Sequence, residues 1–571
     1  MNYKIFILSF ILLCNCKLIA QSLVLSSNGK SSYKIQIAEN ADEEELYAAA
    51  EFQRYFESIT NFHLEIQKTK NFSISEKSIL IAKPNRFAGF AIKDQSDVVI
   101  KTSSKSLILT GSGKRGVRYA VYSFFEKYLG CRFFALDEIL IPEKKNIELS
   151  NIDYAYSSPF IFRSYYSLEN ADKKYADFHK QNYFFEDRLY PAHSFAWLIP
   201  ADKYFKTNPE FFALVDGKRK PTQMCFSSQG LYKELVKVLK REIASTPNQI
   251  WSVSHLDSPD VCHCGLCEKA YKQGNGFSET LIPFVNDIAK AFPDKTISTL
   301  AYNQSLLPSK LVKPAKNVEI MFCFTQVDKR YSIDSPKNKE AAKFVNAFYD
   351  WKKQTDNFFI WDYNVNYFHS LFPFPNLSTF QPDIKFFKQL GAKKVFMEGI
   401  GPQKGEFSEL KSYIASQLLW DPNLDSNAIR NDFLTNYYGN AAEDVKKYIE
   451  KVETQSKLNK ESLDVYANPV IYKSGYLSQA NLKDYAMILE NGLKKVNSSS
   501  KYYKRLKKEL LSIEYADLEI TSLQNSSRGA LDKNNFNKRL NAFKKEADAI
   551  NITNLRNGEF TVDEFLKNKS K

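Results

Sequence analysis

The stretch QIWSVSHLDSPDVCHCGLCEKAYKQGNGFSETLIPFVNDIAKAFPDKTISTLAY, residues 249–302, decides how the chain is read. Its ends, QIWSVSH (249–255) and TISTLAY (296–302), are short apolar runs of the kind that form strands buried on both faces. Between them ETLIPFVNDIAKAF (279–292) repeats its apolar residues at helical spacing. Strand, helix and strand in that order make a parallel pair joined by a crossover.

The same alternation extends outward. FIFRSYY (160–166) and TQMCF (222–226) precede it, and VEIMFCF (318–324), FFIWDY (358–363) and KVFMEG (394–399) follow. LYKELVKVLKREI (231–243), AAKFVNAFYDWKK (341–353) and ELKSYIASQLLW (409–420) read as the accompanying helices. That makes seven strands, with an eighth sought in 183–215, where Pro and aromatic residues obscure the period. No glycine-rich phosphate loop follows any of them, which disfavours nucleotide binding. The expected fold class is α/β, a (β/α)8-type TIM barrel over residues 151–425.

Residues 21–150 read as an N-terminal α+β domain. SYKIQIA leads into a helix where Asn40 and Glu43 have capping-box spacing, and SILIAK, DVVIKT and SLILTGS are further strands. A second helix, GVRYAVYSFFEKYLG, is expected to stop at Gly130. Residues 426–571 are lysine-rich and helical, without a strand signal until a weak FTVDEF, and no chemistry is assigned to them. The opening MNYKIFILSFILLCNCKLIAQS has Lys4, a short apolar run and small Ala20, so residues 1–20 read as a secretory signal peptide. A lipid anchor on Cys16 is the less favoured alternative, since Asn15 makes a poor lipobox. Export to the periplasm or beyond follows, and no later run is long enough to span a bilayer.

Composition sets the outer limits. In 571 residues, 44% hydrophobic and 25% charged content with 20 Gly and 20 Pro excludes a disordered or collagenous chain. The net charge of +14 is spread over lysines without an arginine-rich arm or zinc-finger spacing, so a solvated surface is expected and no nucleic-acid partner. The 33 Tyr and 5 Trp suit polar-edged clefts on which sugars stack.

In a barrel enzyme chemistry gathers where strands end. Those ends carry Asp257, Tyr302 with Asn303, Asp362 and Tyr363, and Glu398, while Arg163 lies within the first strand. Several carboxylates beside aromatic faces is what glycoside hydrolysis needs: one acid protonates the leaving oxygen, and another attacks, activates water or orients a nucleophile within the substrate. The catalytic candidates are therefore Asp257, Glu398 and Asp362. His193 and Trp197, in a loop-like segment, join Arg163, Tyr302, Asn303 and Tyr363 as substrate-binding candidates, although a lone histidine is more often structural. Cys262, Cys264 and Cys267 could hold a soft metal such as zinc, given a fourth ligand, or form a local disulfide with a spare thiol. Either arrangement would pin the loop after Asp257, and neither a catalytic metal nor a cofactor is expected.

Several motifs together resemble a known family: HSF (193–195), NPEFFAL (208–214), WSVSHLDSPDVCHCGLC (251–267), FPDKTISTLAYNQSLLP (292–308), FIWDYNVNYF (359–368) and LLWDPN (418–423). They resemble the barrel of domain of unknown function 4838, which overlaps glycoside hydrolase family 163. RGVRYAVYSFFEKYLGCRFF (115–134) resembles the N-terminal domain of α-glucuronidases and some hexosaminidases. The resemblance implies an endo-β-N-acetylglucosaminidase acting on the chitobiose core of N-glycans, with a glycan or glycoprotein as partner. It further implies a substrate-assisted retaining mechanism, with Glu398 as acid, Asp257 orienting the acetamido group and Asp362 third, and with Tyr302, Trp361 and Tyr363 lining the sugar pocket. Two other readings stand beside it. An α-glucuronidase-like exo-hydrolase would need a cation for the uronate, with Arg163 or Arg219 as candidates. A non-catalytic glycan-binding protein would keep the aromatics without a working pair of acids.

Overall fold

The computed structural model describes residues 22–87, 96–103, 105–183, 186, 188–189, 192–526, 533–556 and 560–569. The expected signal peptide, with Cys16, lies outside them. The chain divides into two compact units, Met1–Arg132 with Leu140–Ser157, and Phe133–Ile139 with Ser158–Lys571.

The first unit is built on a six-stranded mixed sheet in the order 153–156, 98–103, 106–110, 78–81, 34–38, 66–69. Helices Glu43–Thr60 and Gly116–Phe124 pack together, with Phe52 5.7 Å from Phe124 between ring centres. The capping box is closed by Asp42 and Glu45, not by Asn40 and Glu43: Asp42 accepts from the Glu45 N–H, and the Glu45 carboxylate accepts from the Asp42 N–H. Starting the helix there turns Ala48, Ala49, Phe52 and Phe56 into the core. The second helix runs on through Leu129 in a wider turn and stops at Gly130, whose φ of 82° is open to glycine at little cost.

The second unit is organised by a curled, half-barrel sheet of seven strands, every neighbouring pair parallel. In chain order these are β1 (Phe162–Ser167), β2 (Arg188–Leu189), β3 (Ile250–Ser252), β4 (Thr296–Ala301), β5 (Val318–Phe324), β6 (Phe358–Tyr363) and β7 (Lys394–Gly401). Their order is β1-β7-β6-β5-β4-β3-β2, so the first strand lies beside the last. Among the described residues β1 and β2 are not paired. All seven residues of central β5 are buried, and Phe322 and Phe358 of the sheet meet Phe348 of helix Lys339–Lys352 at 5.2 and 4.6 Å. Each such ring contributes roughly 1.5–3 kcal/mol by leaving water.

TQMCF (222–226) is not a strand of this sheet. Its first half continues from exposed Lys218 and from Pro221, which has no N–H for a ladder. It instead forms a hairpin, Phe212–Val215 against Lys218–Met224, around Asp216 and Gly217, both with positive φ. The seventh strand is the short β2, inside the region where the missing strand was sought.

One buried residue of β5, Glu319, is charged. Burial alone would raise its pKa, but Arg188 and Lys394 hold it at about 2. Arg188 donates to it at 2.7 Å and Ser298 at 2.9 Å, and Lys394 pairs with the other oxygen. Strands β2, β4, β5 and β7 are thereby tied together toward their N-terminal ends, leaving the opposite rim for chemistry.

The segment after the sheet is helical from Ser426–Tyr438 to Val562–Lys569, with a small hairpin, Asn554–Arg556 against Phe560–Thr561. Its apolar side chains join those of the sheet in one continuous core. Among the described residues no helix is long and apolar enough to cross a membrane.

Candidate active site

Side chains alternate along a strand, so register decides which residues share a face. Cys323 of β5 lies opposite Trp361 of β6, which lies opposite Phe396 of β7; one step further Tyr363 lies opposite Glu398. Cys323, Trp361, Tyr363 and Glu398 consequently open on one cleft, of about 360 Å³, at the C-terminal ends of the strands. Asp257, in the loop after β3, and Tyr302, just past β4, face the same space.

The structure thus brings Asp257, Glu398, His193, Tyr302, Trp361 and Tyr363 together from distant segments. Glu398 is half-buried and accepts a 2.7 Å hydrogen bond from the Trp361 indole N–H. Its backbone carbonyl accepts from the Tyr367 hydroxyl at 3.2 Å. Burial raises its carboxyl to about 7, against the lowering effect of its hydrogen-bond donors. Asp257 is exposed, and the Tyr302 hydroxyl donates to it at 3.3 Å. Burial, reinforced by the Asp257 charge, pushes the Tyr302 phenol well up, so it remains a donor. One carboxyl is therefore poised to carry a proton near neutrality, and the other has a hydroxyl fixing its direction.

His193 has a φ of 49°, a left-handed conformation that costs a non-glycine residue about 1–3 kcal/mol. Reciprocal bonds hold it there: the Ser194 N–H donates to the Ser254 hydroxyl, and the Ser254 N–H to the Ser194 hydroxyl. Its Nδ1 lies 2.8 Å from the His255 carbonyl, which can only accept, so Nδ1 carries the proton and Nε2 is an acceptor in the neutral ring. Buried His255, lowered to about 4 by desolvation, stays uncharged.

Four predicted residues do not line the cleft. Asp362 sits between Trp361 and Tyr363, so alternation turns it to the opposite face, where it is fully buried and paired with Lys329 at 2.6 Å. Arg163 lies at the beginning of β1, bonded to the Phe160 carbonyl and stacked on Trp420. Trp197 is 55% exposed on the short helix Phe195–Leu198. Asn303 starts a single helical turn directly after Tyr302. Arg219, the other arginine considered for a uronate, points to the Phe212 carbonyl and to Cys262.

The cleft also gathers residues that the sequence pattern left without chemistry. Tyr367 and Phe368 follow β6, Tyr466 comes from the helical segment, and Arg556 from the terminal hairpin. Tyr466 packs on Tyr367 and Phe368, and the Arg556 guanidinium lies 4.2 Å from the Phe368 ring centre. FIWDYNVNYF carried a signal for the first two in its run of aromatics. Nothing local marks the last two, because long-range packing brings them in.

Away from the cleft, the Sγ atoms of Cys225, Cys262, Cys264 and Cys267 all lie within 4.8 Å of one another, and none is in a disulfide.

Comparison with solved structures finds one similar fold and weaker superpositions. A family GH115 4-O-methyl-α-glucuronidase, BtGH115A, with specificity for decorated arabinogalactans, superposes with a TM-score of 0.55 at 11% identity, over 93% of this chain and 77% of that one. CpGH84B gives 0.47 at 13% identity, over 96% and 97%. A β-N-acetylhexosaminidase from Bacteroides fragilis NCTC 9343 gives 0.42 at 12%, over 75% and 93%. At such identities the GH115 likeness is one of fold. No curated protein matches the chain. The sequence from residue 133 to residue 450, more than half of the chain and nearly all of the parallel-sheet region with its cleft, matches the domain of unknown function DUF4838, and the chain belongs to that family.

Proposed function

We propose that this protein is an exported glycoside hydrolase, an endo-β-N-acetylglucosaminidase of the family 163 type that cuts the chitobiose core of N-glycans, on a sheet read as a (β/α)8 barrel. The observation that carries the reading is Glu398: an acid near 7, in an aromatic-lined cleft shared with a second carboxylate, Asp257. A general acid works best when its pKa lies near the operating pH.

In the mechanism inferred here Glu398, protonated, gives its proton to the oxygen of the leaving sugar. Asp257, steadied by Tyr302, accepts the acetamido N–H of the sugar being cleaved and directs the acetamido oxygen to the anomeric carbon. The C–O bond to the leaving sugar breaks as the acetamido oxygen bonds to that carbon, giving an oxazolinium held by the Asp257 charge. Glu398, now a carboxylate, takes a proton from the water that opens the ring, so configuration is retained. Holding the nucleophile within the substrate supplies much of the rate advantage. Trp361 and Tyr363, 6.3 Å apart and nearly parallel, offer faces for the pyranose, and Nε2 of His193 an acceptor for a hydroxyl.

A second reading, an α-glucuronidase-like exo-hydrolase, is favoured by one observation, the guanidinium of Arg556 at the cleft, which suits a uronate carboxylate. The experiment offers the purified protein a complex N-glycoprotein and a glucuronoxylan fragment and weighs the released glycans by mass spectrometry. Release of N-glycans, lost in folded Asp257→Asn and Glu398→Gln, is expected. Release of glucuronic acid alone would establish the second reading. No release would leave a glycan-binding protein, and release undiminished in both variants would end the assignment of Asp257 and Glu398.

A further inference from the structure

The four clustered cysteines come from three pieces of chain. Cys225 follows the hairpin strand Lys218–Met224, Cys262 and Cys264 lie in the loop after β3, and Cys267 is in the first turn of helix Gly265–Tyr271. Three are buried and Cys264 is half-exposed. Cys225 Sγ lies 3.7 Å from Cys264 Sγ and 4.0 Å from Cys267 Sγ. A tetrahedron of sulfurs with bonds of about 2.3 Å to a central ion has edges of about 3.8 Å, whereas a disulfide would need about 2.05 Å. Two of the separations therefore match such an edge, and all of them lie within 4.8 Å.

Their surroundings suit thiolates. The Leu214 N–H donates to Cys262 Sγ at 3.3 Å, the Arg219 guanidinium approaches the same sulfur at 3.8 Å, and the Ser227 hydroxyl lies 3.2 Å from Cys267 Sγ. Donors and a cation of this kind tune and orient metal ligands. Four thiolates around a divalent ion leave two negative charges, which Arg219 partly offsets.

We propose that Cys225, Cys262, Cys264 and Cys267 bind one zinc ion in a closed, all-thiolate tetrahedral site. Binding exchanges four thiol protons for the ion, and with four protein ligands no position is open to substrate, so the role is structural. What the ion holds is the loop carrying Asp257. Around that residue the hairpin and the loop are already laced: Gln223 bonds both backbone groups of Leu256, Thr222 donates to Asp260 at 2.5 Å, and the His263 N–H donates to the Leu214 carbonyl. Zinc would lock the open end of this lacing by joining Cys225 to a segment some forty residues further on. The inference stands whether or not the cleft hydrolyses glycans.

The test uses the full chain, exported by a bacterial host and purified without added metal. Elemental analysis should find about one zinc per chain, and titration with an organomercurial should release it in step with four thiols. Cys225→Ser and Cys264→Ser should each lose most of the zinc and lower Tm by about 10 °C or more, while Cys131→Ser keeps it. Should the serine variants fail to fold, stoichiometry and thiol count in the wild type still decide. A metal-free protein, a mass two or four units low from disulfides, iron in place of zinc, or zinc unchanged in the serine variants would each overturn the proposal.

Discussion

The Trp361 indole N–H donates to Glu398 Oε2 at 2.7 Å, one strand away in the sheet. That bond favours the charged carboxylate, while burial favours the neutral acid, and burial prevails. If Glu398 is the general acid, kcat/KM should fall as pH rises through about 7. Trp361→Phe removes a donor to the carboxylate, so the fall should move upward, by roughly half to one pH unit, since one hydrogen bond to a charged group is worth about 1.5 kcal/mol or less here. In Glu398→Gln the pH dependence should vanish along with about 10²–10⁴-fold of the rate. A pH–rate profile of the three proteins checks this, and an unmoved limb in Trp361→Phe would separate that limb from Glu398.

The same carboxyl leaves a mark on stability. Its folded pKa of about 7 lies above the ordinary 4.5, so the native state binds the extra proton between those values. The stabilisation from a neutral Glu398 is complete below about 4.5 and is lost as pH rises through about 7. The amide in Glu398→Gln would stay neutral throughout. The Tm of that variant relative to wild type should therefore climb between pH 4.5 and 8, by about 2 °C for a protein of this size. Thermal melts across that range would show it, and a flat difference would contradict a raised pKa.

Much of this arrangement was legible because strand-end chemistry depends on topology more than on detail. Asp257, Tyr302, Tyr363 and Glu398 each follow or end a run whose apolar pattern marks a strand, and they meet in one cleft. Asp362 failed for a reason also written in the sequence: between two cleft-facing aromatics, alternation sends it the other way. The hairpin around Asp216 and Gly217 was likewise signalled by its turn pair, which outranks the apolar TQMCF that follows. Arg556 and Cys225 were beyond local reading. Each becomes meaningful only when packing brings it beside partners hundreds or tens of residues away, and spacing carries no trace of that.

Asp362 instead belongs to the fold. It and Lys329 are both buried, 2.6 Å apart, so neutralising Asp362 leaves Lys329 facing only Asp383, a buried carboxyl that desolvation raises to about 8. Asp362→Asn should cost about 3–5 kcal/mol of stability, whereas Asp362→Leu combined with Lys329→Met should recover most of it. Denaturant unfolding reads both. In the fraction that remains folded kcat should change less than about threefold, and a loss comparable with that in Glu398→Gln would return Asp362 to the chemistry.

Arg556 separates the two substrate readings. A guanidinium that recognises a uronate does so through paired charge-assisted hydrogen bonds, whose loss costs roughly 1.5–3 kcal/mol, or about 10–150-fold in kcat/KM. Against a neutral chitobiose core it has no carboxylate to meet, and its packing on Phe368 is shared with Tyr466. Arg556→Met keeps the length of the side chain and its apolar contact while removing the charge. On N-glycan substrates the variant should stay within about threefold of wild type. Paired kinetics on a neutral chitobiose glycoside and an acidic, uronate-bearing one would decide, since a loss confined to the acidic substrate means the cleft was built around a carboxylate and the N-acetylglucosaminidase reading must yield.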